Sequence, residues 1–530
     1  MLAIYGGEPI RDTYLPYGHQ SIDDEDIRAV TETLKSDYLT TGPKVTEFEN
    51  KIKELYNRKY ALAVNSGTAG LHCAVHACHL SSTDEVIVTC LSFVASSNCI
   101  LYENAEPIFC DIQLDTLNID PNKIESLVNK NTKAIITVDF GGQLCDYDKI
   151  VPIVKKHNLI LIEDACHALG TKTCHDADYV VFSFHPVKHI TTCEGGMVLT
   201  NNERYYETMK SFRTHGIVRD PKKKHSFEMY ELGFNYRIPD LTCALGISQL
   251  NKLDRFVKRR KEIAKIYDEK LTEFKDNIIP LTQKNDNSYH LYVVKILNLD
   301  RDTIFNALQK ENIGVNLHYI PIHYNQYYKE KLNYTPECQN ADQVYKQIIT
   351  LPLYPDMSDK DINDVINAIR KVINYYRIEI TLVEKTEENA KLIHEWRNDE
   401  ITRKMSFNTK IIEYSEFLDS FNNKYFNNNI PPLFITLNNK KIGFIGCVKH
   451  DEEYILGINL SPQYRNKGYG TLGLMKSIKF IKDNYKFVNK IIAKIKEYNT
   501  SSIKIFERCK FKFINKEVVN DENILVYEFN

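Results

Sequence analysis

No uninterrupted apolar segment of this 530-residue chain approaches the roughly 20 residues that cross a bilayer, so no membrane span is expected. The opening residues, Met1-Leu2-Ala3-Ile4-Tyr5-Gly6-Gly7-Glu8, have neither a basic stretch nor a long apolar run, and a secretory signal is not expected. Charge of one sign is missing too. The 68 Lys and Arg against 70 Asp and Glu leave a formal −2, which gives no global basic field for nucleic acid. The thirteen cysteines are scattered: Cys73 and Cys78 lie close, as do Cys166 and Cys174, but no CxxC spacing repeats. A metal site is therefore not expected, and the thiols read as reduced, small buried residues of a cytoplasmic protein. There is no Gly/Ser-rich linker and no internal repeat. The length implies two or three domains, packed together or joined by a short hinge.

What is present is the composition of a globular protein, 43% hydrophobic and 26% charged. From about residue 21 to 375, helical patterns alternate with short β-branched runs, which predicts an α/β domain with a mainly parallel sheet. Helices are expected over 22–34, 67–78, 248–271 and 360–376. Strands are expected at 60–64, 85–89, 134–138, 159–162 and 179–184. A smaller α+β part includes His290 to Val294. At Arg377 to Val383 the pattern restarts with a strand, and the asparagine-rich patch 422–429 reads as a loop.

One stretch carries chemistry above the others: Ser183-Phe184-His185-Pro186-Val187-Lys188, just after a strand and just before Cys193-Glu194-Gly195-Gly196. Upstream, a second buried strand ends in Glu163-Asp164. A lysine amine and an aspartate at neighbouring strand ends are what pyridoxal phosphate requires, the amine for the aldehyde and the carboxylate for the pyridine nitrogen. Asn65-Ser66-Gly67-Thr68 lies between a strand and a helix, where amides and hydroxyls suit a phosphate, although small residues there also serve a tight turn. Phe93 offers a ring for the pyridine face, against the alternative of an ordinary core residue. His167, three residues after Asp164, and the loop Gly233-Phe234-Asn235-Tyr236-Arg237 complete the candidates.

The set SFHPVK, EDACHALG, NSGTAGLH and GFNYRIPDLTCALG resembles the DegT/StrS-type nucleotide-sugar aminotransferases over residues 1–376. The resemblance implies an aspartate-aminotransferase-like fold of type I, with a large cofactor domain at about 1–250 and a small α+β subdomain at 251–376. It implies pyridoxal 5′-phosphate as cofactor, with Lys188 as Schiff-base lysine and proton carrier. Asp164 pairs with the pyridine nitrogen, and His167 lies beside the ring. Gly67, Thr68 and Ser183 hold the phosphate. Asn235 reaches that phosphate from a second subunit, hence a homodimer with shared sites. Arg213, His215, His318 and Tyr319 line the sugar-nucleotide side. The run Val138 to Gln143, and Val315 to His323, narrow the likeness to members acting in pseudaminic acid biosynthesis. Those take a UDP-4-keto-6-deoxy-N-acetylhexosamine with L-glutamate as donor and give an L-altro product; the gluco-configured sugar is the alternative. Two departures stand out: Cys193 replaces the family's glycine before Glu-Gly-Gly, and the hairpin after Leu169 is shortened to residues 170–175.

A second constellation follows the strand 454–460: Arg465-Asn466-Lys467-Gly468-Tyr469-Gly470, ahead of a helical run. Glycines let amides approach a pyrophosphate, a helix N-terminus favours it, and Arg465 and Lys467 add positive charge. With the strand 491–495, the helix from Asn499 and the opening His394-Glu395-Trp396-Arg397-Asn398, this order resembles a GNAT-type N-acetyltransferase over 378–530. The likeness implies a GNAT-like α/β domain with acetyl-CoA as co-substrate, held through Arg465, Lys467, Gly468, Gly470 and Asn499 at a splayed strand pair. The tyrosine that often protonates the leaving thiolate falls at Phe506, and the usual glycine before Phe511 is Lys510; Tyr498 is the candidate acid in its place. The fusion implies amination followed by N4-acetylation of one sugar. The alternative is an active aminotransferase with a non-catalytic acyl-CoA-binding or interaction module.

Overall fold

The computed structural model describes residues 2–219, 226–427 and 429–529. The chain divides into two compact units: Pro9–Ile369, and Met1–Glu8 together with Arg370–Asn530. The sequence pattern changes at Arg377, whereas the compact units change at Arg370. Within the second unit the reason is local. The Tyr5 ring packs on Tyr375 at 5.5 Å, and Tyr5 and Tyr376 share a hydroxyl contact of 3.1 Å. Lys371 Nζ donates to the Glu8 carbonyl, and Lys476 Nζ lies 4.5 Å from the Tyr375 ring centre.

The first unit is built on seven strands: β1 Tyr60–Val64, β2 Glu85–Thr89, β3 Glu106–Cys110, β4 Thr132–Val138, β5 Ile160–Asp164, β6 Tyr179–Ser183 and β7 Gly196–Thr200. Their order is β1-β7-β6-β5-β4-β2-β3. Only β7 runs against the rest, paired antiparallel with β1 on one side and β6 on the other. The strands are apolar on both faces, as helix-covered parallel strands must be. Val86, Val88, Ile136, Ile162 and Val181 enter one core, and Ile87, Ile135, Leu161, Val180 and Phe182 the other. The 3.6-residue spacing of Gly67–His76 puts Leu71, Ala74 and Val75 against the first of these.

The expected helix 248–271 is two helices, Asp240–Leu250 and Leu253–Leu271. The break at Lys252 lets its buried amine reach Asp26 Oδ2 at 3.0 Å as well as Asp23, a gain an unbroken helix would forgo. A short arm, β8 Ile217–Arg219 and β9 Phe227–Met229, precedes them. The small subdomain carries β10 Ile278–Pro280, β11 Tyr292–Ile296 and β12 Ile348–Leu351, all antiparallel. Arg260, on the long helix, is fully buried and donates to the carbonyls of Tyr289, His290 and Leu353, which docks that helix on the subdomain.

The second unit holds β13 Ile378–Leu382, β14 Leu433–Leu437, β15 Lys440–His450, β16 Glu453–Leu460, β17 Ile491–Lys496, β18 Phe511–Val519 and β19 Glu522–Phe529. Their order is β13-β14-β15-β16-β17-β19-β18. Neighbours are antiparallel except β16 and β17, which run parallel and pair only at Tyr454↔Ile491 and Ile455↔Ile492. Beyond that point the two strands part. Part of the asparagine-rich stretch read as a loop is helical: Phe421–Tyr425 forms a π-helical turn continuing Tyr414–Ser420. Phe421 packs on Phe417 at 6.0 Å and on Tyr425 at 5.7 Å, and that aromatic cluster overrides the polar composition. Asn428 lies outside the described residues. Among the described residues, no helix is long and apolar enough to cross a membrane.

Both positions where a side chain replaces an expected glycine have left-handed backbone, Cys193 at φ 64° and Lys510 at φ 68°. A Cβ there costs roughly 1–2 kcal/mol, partly offset by the greater chain entropy that glycine loses on folding. Lys510→Gly is expected to stabilise the C-terminal unit by about 0.5–1 kcal/mol, read as a rise in its denaturation midpoint; a fall would show that the lysine side chain outweighs the backbone.

Candidate active site

The site in the first unit grows out of one row of strand pairing. Gly196, the first residue of β7, stands opposite both Val64 at the end of β1 and Ser183 at the end of β6. The turn after β1 therefore meets the loop after β6. The fit is close: a Cβ on Gly67 would lie 2.9 Å from Ser183 Cβ and 3.1 Å from Cys166 Sγ. Ser66 caps the helix Gly67–His76 by accepting from Ala69 N at 3.1 Å. This leaves a helix N-terminus beside the Ser183 hydroxyl, an arrangement that suits a phosphate.

β5 runs parallel to β6, so Asp164 emerges at the same edge. Its Oδ2 accepts from the Ser96 hydroxyl at 2.7 Å and its Oδ1 from Cys166 N at 3.2 Å. Ser96 also exchanges a 3.0 Å bond with Ser92, on the turn that carries the exposed ring of Phe93. Lys188 closes a tight turn, its N–H donating to His185 O at 2.9 Å, and its Nζ lies 3.4 Å from His290 Nε2. Burial pushes the Lys188 amine down to about 8, Cys166 and Asp164 pull it back up, and Arg260 adds to the depression. His290 and His167 are held well below the ordinary histidine range, by burial first and by Lys188 next. Both imidazoles are thus neutral beside an amine that holds its proton less tightly than an ordinary lysine.

His167 and Tyr319 form one unit. Gly141 N donates to His167 Nδ1 at 3.3 Å, so the ring proton sits on Nε2, 3.0 Å from the Tyr319 hydroxyl. Their rings stack at 5.9 Å, and Tyr319 also faces Phe93 at 6.1 Å. His318 is buried, with Nδ1 2.9 Å from Thr350 Oγ1, and burial takes it down to about 3. The structure thus gathers Gly67, Thr68, Asp164, His167, Ser183, Lys188 and Tyr319 at one edge, with Phe93 on its rim.

The surroundings of three further expected residues are also defined. Arg213, expected on the sugar side, turns inward under β1: its Nη1 donates to Glu49 Oε1 at 2.9 Å and to Ala63 O at 2.7 Å. A half-buried guanidinium beside a carboxylate is held there through that one nitrogen. His215 is an exposed residue at φ 62° whose N–H donates to Phe234 O. Asn235 is exposed too, but its carbonyl accepts from Asn65 Nδ2 at 3.3 Å, which lays its loop against the Ser66 turn of its own chain. Sequence reasoning missed His290 and Ser96. His290 read only as the start of a strand, and Ser96 stood in a run singled out for Phe93; neither has a spacing that signals its partner.

In the second unit, Gly468 caps the helix Tyr469–Asn484 at φ 82° with no side chain in the cap. A Cβ on Gly470 would lie 2.9 Å from Ile505 Cδ1, so that glycine lets two helices approach. Lys467 is exposed over the Tyr464 ring at 5.8 Å. Arg465 is tied to the segment around Asp399. Its Nη1 pairs with Asp399 Oδ2 at 2.7 Å, Nη2 donates to Thr402 Oγ1 at 2.8 Å and Nε to Leu460 O at 3.1 Å. With all three nitrogens engaged, it fixes the loop. Asn499 caps the helix Thr500–Arg508, its Oδ1 accepting from Ser502 N at 3.2 Å. Tyr498, just beyond β17, directs its hydroxyl to Glu522 Oε1 at 3.2 Å and Lys404 O at 3.3 Å, while Phe506 is buried against Phe511.

Comparison with known proteins identifies both parts of the chain. Residues 20–370 match the DegT/DnrJ/EryC1/StrS aminotransferase family, and residues 379–512 match the acetyltransferase (GNAT) domain. The UDP-4-amino-4,6-dideoxy-N-acetyl-beta-L-altrosamine transaminase of Campylobacter jejuni is 39% identical over 375 residues, 68% of this chain and 97% of that protein. The Helicobacter pylori aminotransferase PseC, involved in pseudoaminic acid biosynthesis, is 32% identical with a TM-score of 0.65, over 68% of this chain and 99% of its own. The putative sugar aminotransferase Spr1654 of Streptococcus pneumoniae, solved in its PMP form, is 28% identical with a TM-score of 0.65, over 68% of this chain and 98% of its own. The chain belongs to the DegT/DnrJ/EryC1/StrS aminotransferase family and carries a GNAT acetyltransferase domain after it.

Proposed function

We propose that residues 1–376 transfer an amine to C4 of a UDP-4-keto-6-deoxy-N-acetylhexosamine, giving the L-altro amino sugar, and that residues 378–530 then acetylate that amine. The observation that carries the first step is the buried Lys188 amine, at the strand edge where Asp164, Ser183 and Gly67 meet. Aminotransferases of this family use pyridoxal 5′-phosphate, and the donor set fits it. The helix N-terminus at Gly67 and Thr68, with the Ser183 hydroxyl, would hold the phosphate. Asp164, kept in place by Ser96, would face the pyridine nitrogen, and Phe93 and His167 would flank the ring. When bound, the cofactor supplies an aldehyde for the amine and a ring that stabilises negative charge at the carbon losing its proton.

Lys188 Nζ, with its affinity lowered by burial, takes and returns that proton near neutral pH. Neutral His290 accepts a hydrogen bond without adding charge, and the Tyr319–His167 pair fixes the opposite wall. L-Glutamate is the donor the family resemblance implies, leaving as 2-oxoglutarate. The altro configuration rests on the named transaminase relative and on PseC. A homodimer is supported by the exposed apolar side chains of one arm, Phe227, Met229, Tyr230, Leu232 and Phe234, a patch of the kind that marks an interface.

For the second step, acetyl-CoA would enter where β16 and β17 part, its pyrophosphate against Lys467, Gly468 and Gly470 at the helix N-terminus. The sugar amine attacks the thioester carbonyl, the C–S bond breaks, and CoA leaves as a thiolate. Tyr498 is the candidate hydroxyl that would protonate the thiolate and be restored by the proton the amine sheds. A second reading, a non-catalytic acyl-CoA-binding or interaction module, is favoured by Phe506, which leaves the position of the family's thiolate-protonating tyrosine without a hydroxyl.

Lys188→Ala is expected to lose both transamination and the visible absorbance of bound cofactor; turnover in that variant would remove the assignment. Because the folded amine is neutral above about 8, reconstitution of the apo-protein is expected to speed up as pH rises through that value. A midpoint near the ordinary lysine value would mean the amine is solvated. Incubation with UDP-4-keto sugar of either C5 configuration, glutamate and acetyl-CoA should give a 4-acetamido product from the altro precursor with one CoA released per amine. A 4-amino product with no CoA release selects the second reading. Light scattering should show a dimer that Leu232→Asp shifts towards monomer.

A further inference from the structure

Behind the cleft wall lie three groups that the proposed function does not use. Cys90 directly follows β2, His323 sits in the turn Ile322–Tyr324, and Cys338 caps the helix Gln339–Tyr345. Their two sulfurs and one ring nitrogen all lie within 4.8 Å of one another. Both cysteines are buried, and the His323 side chain is 9% exposed. His323 Nε2 is 3.0 Å from Asp342 Oδ1, so the ring proton resides there. The lone pair is then on Nδ1, which is buried and has no hydrogen-bond partner. A carboxylate holding one imidazole nitrogen while the other stays free is how metal-binding histidines are oriented. Asp111, whose Oδ1 is 3.9 Å from Cys90 Sγ, accepts from the amides of Ile112, Asn340 and Ala341, and Ile322 N donates to Cys90 O at 2.8 Å. The cluster is thus anchored from both sides.

We propose that Cys90, His323 and Cys338 bind one zinc ion that staples the segment 319–345 to the end of β2. Two thiolates and an imidazole are a soft set that selects zinc over magnesium or calcium, which take oxygen ligands. Binding displaces the two thiol protons to solvent, and Zn²⁺ with two thiolates is neutral overall, which suits a buried place. Three protein ligands leave the fourth tetrahedral position to a water. A disulfide between the cysteines would leave the orphaned imidazole nitrogen unexplained, whereas a cation accounts for all three groups. The consequence reaches the cleft: Cys90 is three residues before Phe93, and His323 four after Tyr319, so the ion would tie together the two segments that bring those rings to the site. The separation of the ligands along the chain is why cysteine spacing gave no sign of them.

The test uses the full-length holoenzyme, stripped with a chelator and titrated with Co²⁺ alone. A thiolate-to-cobalt absorption band saturating at one ion per chain, bleached by Zn²⁺, and absent in Cys90→Ser and Cys338→Ser, is expected. Asp342→Asn keeps every ligand and is expected to weaken cobalt binding about 10–100-fold. Should the cysteine variants fail to fold, His323→Gln and Asp342→Asn decide, with circular dichroism confirming the fold. A wild-type protein with no such band, a band unchanged in those variants, or a Cys90–Cys338 disulfide found by peptide mapping overturns the proposal.

Discussion

The antiparallel insertion of β7 between β1 and β6 is the constraint on which the site rests. It places Gly196 opposite both Val64 and Ser183, so a helix N-terminus and a lysine-bearing loop from distant parts of the chain share one edge. A one-residue slip in either pairing would turn every buried side chain of β7 to the opposite face, so two packed cores hold the register. The parallel neighbours β5 and β4 then bring Asp164 to the same edge. Chemistry at this edge is a consequence of strand order before it is a property of any one residue.

Burial supplies the second ingredient. An exposed lysine is almost entirely charged at neutral pH, and because a charged amine can neither attack an aldehyde nor accept a proton, a lowered affinity raises the reactive fraction. Here the amine is surrounded by neutral imidazoles, with Arg260 behind them, and the desolvation that lowers its affinity outweighs the attraction of Asp164 and Cys166. Arg260 also holds the long helix to the carbonyls of Tyr289, His290 and Leu353, so the group that tunes the lysine also fixes the histidine beside it.

The C-terminal unit shows the same economy with a different outcome. The parting of β16 from β17 makes an opening, and Gly468 starts a helix at it. There Arg465 also pairs with Asp399, and Asn499 caps the helix that follows it. In the proposed sequence of reactions the amine made by one domain is the nucleophile of the other, and the linkage raises its local concentration.

Much of this was legible in the primary structure. The strands at 60–64 and 85–89 were read residue for residue, because a buried parallel strand is a short apolar run between turn residues. Lys188, Asp164 and the Gly67 turn were legible because their chemistry demands particular residues at strand ends. The broken helix at Lys252 and the helical turn Phe421–Tyr425 were not, since a distant carboxylate decides one and aromatic packing the other. Sequence alone determined the fold class, the aminotransferase family and the presence of a GNAT domain after it. Only the tertiary structure put His290 beside Lys188 and Ser96 beside Asp164, paired Arg213 with Glu49 and Arg465 with Asp399, and brought Cys90, His323 and Cys338 together. Those assignments depend on which side chains share a cavity, and that is set by packing between segments far apart along the chain.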